Sequence, residues 1–196
     1  MTTAQSSLLV IISGPSGVGK DTVLERMKGL ARTWYFVITA TTRPKRPGEK
    51  DGVDYIFVTP SQFQALVDED GLLEHAEVYG RSYGVPRAQV EEALASGLDV
   101  IVKPDVQGAR TLRSKVPGAL LIFLAPPDMD ELKRRLRERK SETAEDMERR
   151  IQTATEEMEA RPEFDYVVVN HSGRLEETVA DIEEIIAREK TKRAAR

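Results

Sequence analysis

A glycine loop caught between a strand and a helix decides much of what this chain can be. The loop is Gly14-Pro15-Ser16-Gly17-Val18-Gly19-Lys20; the apolar run Leu8 to Ile12 precedes it, and the helical pattern Val23, Leu24, Met27, Leu30 follows. Its spacing, G-x-x-x-x-G-K, is that of a phosphate-binding loop, in which successive backbone N–H groups surround phosphate oxygens and side chains at the glycines would obstruct the approach. The helix that opens after Gly19 adds its positive dipole end, and Lys20 is placed to reach β- and γ-phosphates. The predicted ligand is an anionic nucleotide, held by Gly14 to Lys20 and by Asp21 and Thr22 behind them. One position departs from the pattern: Asp21 stands where a Ser or Thr hydroxyl would hold Mg²⁺.

Composition narrows the rest. With 196 residues the chain suffices for one good core, or one core with small inserted lobes. A net charge of −4 argues against a general nucleic-acid or membrane-surface role, both of which need cationic surface. The absence of cysteine removes disulfides and thiolate metal sites and suits a reducing compartment. Ala119 to Ala125, the longest apolar run, is too short for a bilayer, and Met1 to Ser7 lacks a signal-like pattern, so a soluble cytoplasmic protein is expected.

Along the chain, Trp34 to Thr41 reads as a second strand, and Thr41 to Glu49, with two prolines and three cations, as a basic loop. Asp54 to Val58 reads as a strand ended by Thr59-Pro60-Ser61-Gln62, a capping box with Pro at the first helical position. Leu72 to Tyr79 and Ser82 to Val85 form a predicted hairpin about Gly80-Arg81, and a short helix runs from Pro86 to a stop at Gly97. These short connections predict a small antiparallel lobe over residues 39–87. Leu98 to Val102 and Leu120 to Leu124 are continuous apolar strands of the doubly covered kind, separated by a helix from Val106 to Lys115. Two lid helices follow, one through Lys140 and one over Thr143 to Ala160; Tyr166 to Val169 is the last strand, before an amphipathic helix through Leu175, Val179, Ile182 and Ile186. The expected fold is α/β: a mostly parallel five-stranded sheet flanked by helices (residues 1–38, 88–127 and 162–196), the inserted lobe (39–87) and a helical lid (128–161).

Several of these residues, taken together, resemble the guanylate kinase family. Thr39, Thr42-Arg43, Arg46-Pro47-Gly48-Glu49, Gly52, Asp54-Tyr55 and Phe57 carry the resemblance, with Glu74, Tyr83-Gly84 and Asp105-x-Gln107-Gly108 after them, and it extends from Leu8 to about Ile186. It implies a P-loop kinase that moves the γ-phosphoryl of ATP to GMP, with dGMP as an expected second acceptor, Mg²⁺ as cofactor and no nucleic acid or membrane partner. Monomer and homodimer both stay open. On the acceptor side it implies Thr39 at the base, Arg43, Arg46, Tyr55 and Tyr83 on the phosphate, and Glu74 as purine reader. Forked guanidiniums suit a phosphate, and a carboxylate accepts from guanine's ring N–H and amine together, a donor pair adenine lacks. The two tyrosines read equally well as core residues with satisfied hydroxyls. On the donor side the resemblance implies Arg135, Arg139 and Arg150 closing on the triphosphate beside Lys20, Asn170 near the adenine, and Asp105 holding Mg²⁺ through water. His75 and His171 receive no role.

Asp21 and Lys103 depart from the family in opposite charge directions, Lys103 standing where a carboxylate is general; Val85 replaces a frequent hydroxyl. Either Asp21 pairs with Lys103 beside the phosphate loop, or it binds Mg²⁺ directly. Two other functions remain: a ribose 1,5-bisphosphate phosphokinase, a class that often carries Asp at this place, and a non-catalytic guanylate-kinase-like protein-binding module, a class that typically loses the nucleotide loop kept here.

Overall fold

The apolar strands and helical periods resolve into two sheets and seven helices in a computed structural model, which describes residues 7–30, 32–78, 80–138 and 144–195. In chain order the described elements are β1 (Leu9–Ser13), α1 (Lys20–Lys28), β2 (Trp34–Phe36), β3 (Ala40–Thr41), β4 (Ile56–Phe57), α2 (Pro60–Asp68), β5 (Leu72–Val78), β6 (Arg81–Pro86), α3 (Arg87–Ala95), β7 (Asp99–Val102), α4 (Val106–Lys115), β8 (Leu120–Ala125), α5 (Met129–Arg137), α6 (Ala144–Glu159), β9 (Tyr166–Val169) and α7 (Leu175–Ala194). A 3₁₀ turn at Arg161–Glu163 precedes β9.

The larger sheet has the order β2-β7-β1-β8-β9, and every pairing in it is parallel. Its central strands are apolar except at Ser13 and Asp99 because both faces are covered, and successive side chains sort to opposite sides. Leu9, Ile11, Val100, Val102, Leu121 and Phe123 pack on one side with Val90, Ala109 and Leu112 of α3 and α4. Val10, Ile12, Ile101, Ile122 and Leu124 pack on the other with Val23 and Met27 of α1 and Val179, Ile182 and Ile186 of α7.

The smaller sheet has the order β4-β3-β6-β5. Two of its pairings are antiparallel, as expected, but β3 and β4 run parallel, so the lobe is mixed. A small core of Ala40, Phe63 and Leu72 belongs to it. The predicted strand over Asp54 to Val58 contracts to Ile56–Phe57, since Asp54 turns back to accept the Lys50 N–H at 2.7 Å.

Trp34 to Thr41 is two strands, not one. Val37 still donates to Ile101 on β7 at 3.0 Å. At Ile38 the partner becomes a side chain: Gln89 accepts the Ile38 N–H at 2.9 Å and donates to its carbonyl at 3.1 Å. The Thr39 carbonyl then accepts from Ile56 in the lobe. One glutamine thus carries the backbone across the gap between the sheets, where bare polar groups would be costly. The capping box on α2 is formed as expected, Thr59 accepting the Gln62 N–H at 3.2 Å and Gln62 the Thr59 N–H at 2.8 Å. No helix among the described residues is long and apolar enough to cross a membrane.

Candidate active site

Open parallel sheets bind ligands beyond the carboxyl ends of their strands, and here a cleft of about 670 Å³ opens after β1 and β7. Its walls come from the glycine loop, the first turn of α1, the exit of β7, the lobe sheet and α6.

The loop is shaped by conformations open to glycine. Gly14 has φ 148°, and a Cβ there would run into the Leu124 carbonyl of β8. Pro15, Ser16, Gly17 and Gly19 line the cleft with Lys20, Asp21 and Thr22, whereas the Val18 side chain is buried in the core. Lys20 Nζ donates to the Gly14 and Pro15 carbonyls. Burial lowers the Lys20 pKa, against the pull of Glu157 and Asp21, so an anion beside it is favourable. Helix α6 is fastened to the loop at one residue: Ser16 N donates to Glu157 Oε2 at 2.9 Å, and Arg150 Nη2 donates to Ser16 Oγ at 3.1 Å. Burial raises the Glu157 pKa although Lys20 opposes it.

Asp21 forms an ion pair with Lys103, the first of the two arrangements open from the sequence. Lys103 also donates to the Tyr55 hydroxyl at 3.0 Å. Tyr55 and Tyr83 meet edge to face, centroids 6.2 Å apart, and both line the cleft rather than the core. Arg43 lies 5.2 Å from the Tyr55 ring centre and is held by Glu49 through two hydrogen bonds, 2.7 and 3.1 Å. Arg46 lines the same wall, and its charge joins Arg43 in lowering the Glu49 pKa. These cations and hydroxyls converge as an oxyanion site needs.

Glu74 on β5 also lines the cleft, opposite Val85 of β6. Only 4 % of it is exposed, and its Oε1 has no hydrogen-bond partner among the described residues. Burial, reinforced by Asp105 and opposed by Lys115, pushes its pKa up to about 8. Gly108 on α4 makes room for it, since a Cβ there would lie 2.7 Å from the carboxylate. Asp105 lines the cleft and caps α4, accepting the Gly108 N–H at 2.8 Å.

Two expected donor-side residues are not brought into this cleft. Arg135 donates to the Val18 carbonyl at 3.0 Å, the Asn170 carbonyl at 2.8 Å and Glu131 at 2.8 Å. The Asn170 side chain is buried and donates to the same Val18 carbonyl at 2.8 Å. Both brace the loop from behind. Arg139 lies outside the described residues. Sequence reasoning named Glu49 without giving it a role and passed over Arg149 and Glu157; the seven-residue spacing of Arg150 and Glu157, two helical turns, was the available signal for the last.

No group of three or more His, Cys, Asp or Glu that could enclose a metal occurs among the described residues. Asp21, Thr22 and Asp105 on the cleft wall are hard oxygen donors of the kind Mg²⁺ takes when phosphates and water complete its octahedron.

Comparisons with known proteins agree with this geometry. The family model described as guanylate kinase matches residues 6–189. A guanylate kinase of Thermus thermophilus is 51% identical over 183 residues, covering 93% of this chain and 81% of that protein. Guanylate kinase 2, chloroplastic/mitochondrial, of Oryza sativa subsp. japonica is 45% identical over 186 residues; the match covers 94% of this chain but 65% of the rice protein. The crystal structure of guanylate kinase from Anaplasma phagocytophilum superposes with a TM-score of 0.79 at 32% identity, covering 97% of this chain and 89% of that one. Sequence, fold and cleft agree, and the chain belongs to the guanylate kinase family.

Proposed function

We propose that this cleft transfers the γ-phosphoryl group of ATP to GMP, giving ADP and GDP, with the two nucleotides gripped at opposite ends. The observation that carries the reading is Glu74, a buried carboxylate whose Oε1 has no hydrogen-bond partner among the described residues, in a cleft that it lines together with a phosphate loop. Its two oxygens suit guanine's ring N–H and amine. Arg43, Arg46, Tyr55 and Tyr83 hold the GMP phosphate, and Thr39 borders the base.

At the donor end the loop amides and Lys20 hold the triphosphate. Arg150 reaches it from α6, and Arg135 with Asn170 keeps the loop in shape. Asp21 with Thr22, and Asp105 through water, would hold Mg²⁺, which when bound neutralises phosphate charge. A GMP phosphate oxygen attacks the γ-phosphorus in line. A new P–O bond forms, the bond to the β–γ bridging oxygen breaks, and ADP leaves with the electron pair. The attacking oxygen is already anionic, so no side chain need abstract a proton. Positioning and charge neutralisation carry the rate.

The division into core (1–38, 88–127, 162–196), GMP lobe (39–87) and lid (128–161) is part of this proposal, as are dGMP as an acceptor and a cytoplasmic setting. The comparisons favour neither alternative function. An ADP-release assay offering GMP, dGMP, IMP, AMP and ribose 1,5-bisphosphate tests the reading. GMP should turn over at least about 100-fold better than AMP. IMP, which keeps the ring N–H but lacks the amine, should fall between them. Equal turnover of AMP and GMP would remove the role given to Glu74.

A further inference from the structure

Lys103 follows β7, where the sheet delivers the chain into the cleft, and its side chain is 17% exposed. Its ammonium meets three groups: the Asp21 carboxylate, the Tyr55 hydroxyl at 3.0 Å, and the Tyr55 ring, whose centre is 4.8 Å away. Asp21 follows Lys20 on the phosphate loop, while Tyr55 lies against Arg43 and Tyr83. The ammonium therefore sits where the donor and acceptor halves of the cleft meet.

Neutralising Asp21 is a weak reason to keep it there. The Asp21 side chain is 70% exposed, so water already solvates its charge, and a pair with an exposed partner contributes little. Withdrawing a lysine from water is costly before its partners are counted. Its pair with Asp21 and its hydrogen bond to the Tyr55 hydroxyl hold the ammonium inside the cleft. A costly cation kept between two anion sites points to a ligand.

We propose that Lys103 is a further catalytic residue of the phosphoryl transfer, its ammonium touching the GMP phosphate oxygen that attacks, with Asp21 and Tyr55 holding it at the junction of the two nucleotide sites. This rests on the reaction proposed above. The cation offsets the repulsion between two phosphate groups brought in line while the P–O bond forms and ADP departs with the electron pair of the broken one; it neither gives nor takes a proton.

The test is a double-mutant cycle in the full chain, with Lys103→Met and Asp21→Asn singly and together and Lys103→Arg as the conservative variant. Metal-free, ATP-free GMP binding is followed by calorimetry, and kcat with Mg·ATP is measured alongside. Lys103→Met should weaken GMP binding about tenfold and lower kcat about 100-fold. Lys103→Arg should recover most of both. The loss of GMP affinity should be equal with Asp21 or Asn at position 21. A loss that disappears in the Asp21→Asn background would mean that Lys103 only balances Asp21, and would overturn the proposal; so would unchanged GMP affinity in Lys103→Met. If Lys103→Met alone does not fold, the double variant, which leaves no unpaired charge, compared with Asp21→Asn gives the same reading. A wild-type chain that does not phosphorylate GMP would sink the reaction itself, an outcome separable from any of these.

Discussion

Glu74 shows how one residue can be legible by type and illegible by state. A carboxylate at a strand position reads as solvated; the structure leaves it 4 % exposed, with its pKa raised to about 8. The folded value lies above the ordinary 4.5, so the folded chain holds a proton that the unfolded chain releases. The contribution of Glu74 to stability is therefore fully present below about 4.5 and is lost as pH rises through about 8. Glu74→Gln removes this penalty, and its melting temperature should decline less steeply than wild type between about pH 5 and 8. A parallel decline would disconnect Glu74 from the pH dependence. The same proton bears on recognition, because guanine's donors need the ionised carboxylate. At about pH 7, GMP binding should release close to one proton, measured by calorimetry in buffers of different ionisation enthalpy. Affinity should rise by up to about tenfold per pH unit below about pH 8. No sequence period could show this state, which depends on Gly108 letting α4 approach and on Asp105 standing near.

Among elements, those that satisfy their own backbone were the readable ones. The strands of the larger sheet announce themselves by unbroken apolar runs, and α2 by its capping box, because the cause lies within a few residues of the effect. Trp34 to Thr41 is the contrary case. Its break at Ile38 is made by Gln89, 51 residues away, which stands in for a strand partner on both the N–H and the carbonyl. Likewise Arg135 and Arg150 look alike as lid-helix arginines, yet one turns to the back of the loop and the other to Ser16. Helical spacing fixes a face, not the carbonyls waiting there. Gln89→Ala strips three hydrogen bonds, two to Ile38 at the crossing between the sheets and one from the Tyr35 hydroxyl, and should destabilise the chain by about 1–2 kcal/mol in chemical denaturation. Gln89→Glu keeps the acceptor but loses the donor to the Ile38 carbonyl, so its cost should be smaller. A neutral Gln89→Ala would show that the crossing is held by other contacts.

At the scale of the whole molecule, the cores are unequal. Both faces of the larger sheet carry extensive clusters, whereas the lobe has only Ala40, Phe63 and Leu72 of its own with a few partly buried neighbours, Leu73 and Val85 packing into the larger cluster, and α5 and α6 share Leu132, Leu136 and Ala154. Small satellite cores joined to a large one favour motion of the satellites as bodies, since each keeps its own packing while the contacts between them change. The polar links across the cleft point the same way. Asp21 with Lys103, Lys103 with Tyr55, and Ser16 with Glu157 and Arg150 are polar contacts to which phosphate oxygens can add. Binding both nucleotides then supplies many charge-assisted bonds across the cleft, and closure around the reacting phosphates excludes water. Amide exchange should therefore slow most in β3 to β6 and in α6 when GMP and a non-hydrolysable ATP analogue with Mg²⁺ are added together. It should slow less with either alone, and little in β1, β7 and β8, which are already protected. Equal protection of lobe and central sheet would mean that the chain tightens as one body, and that the small cores of the satellites do not mark the moving parts.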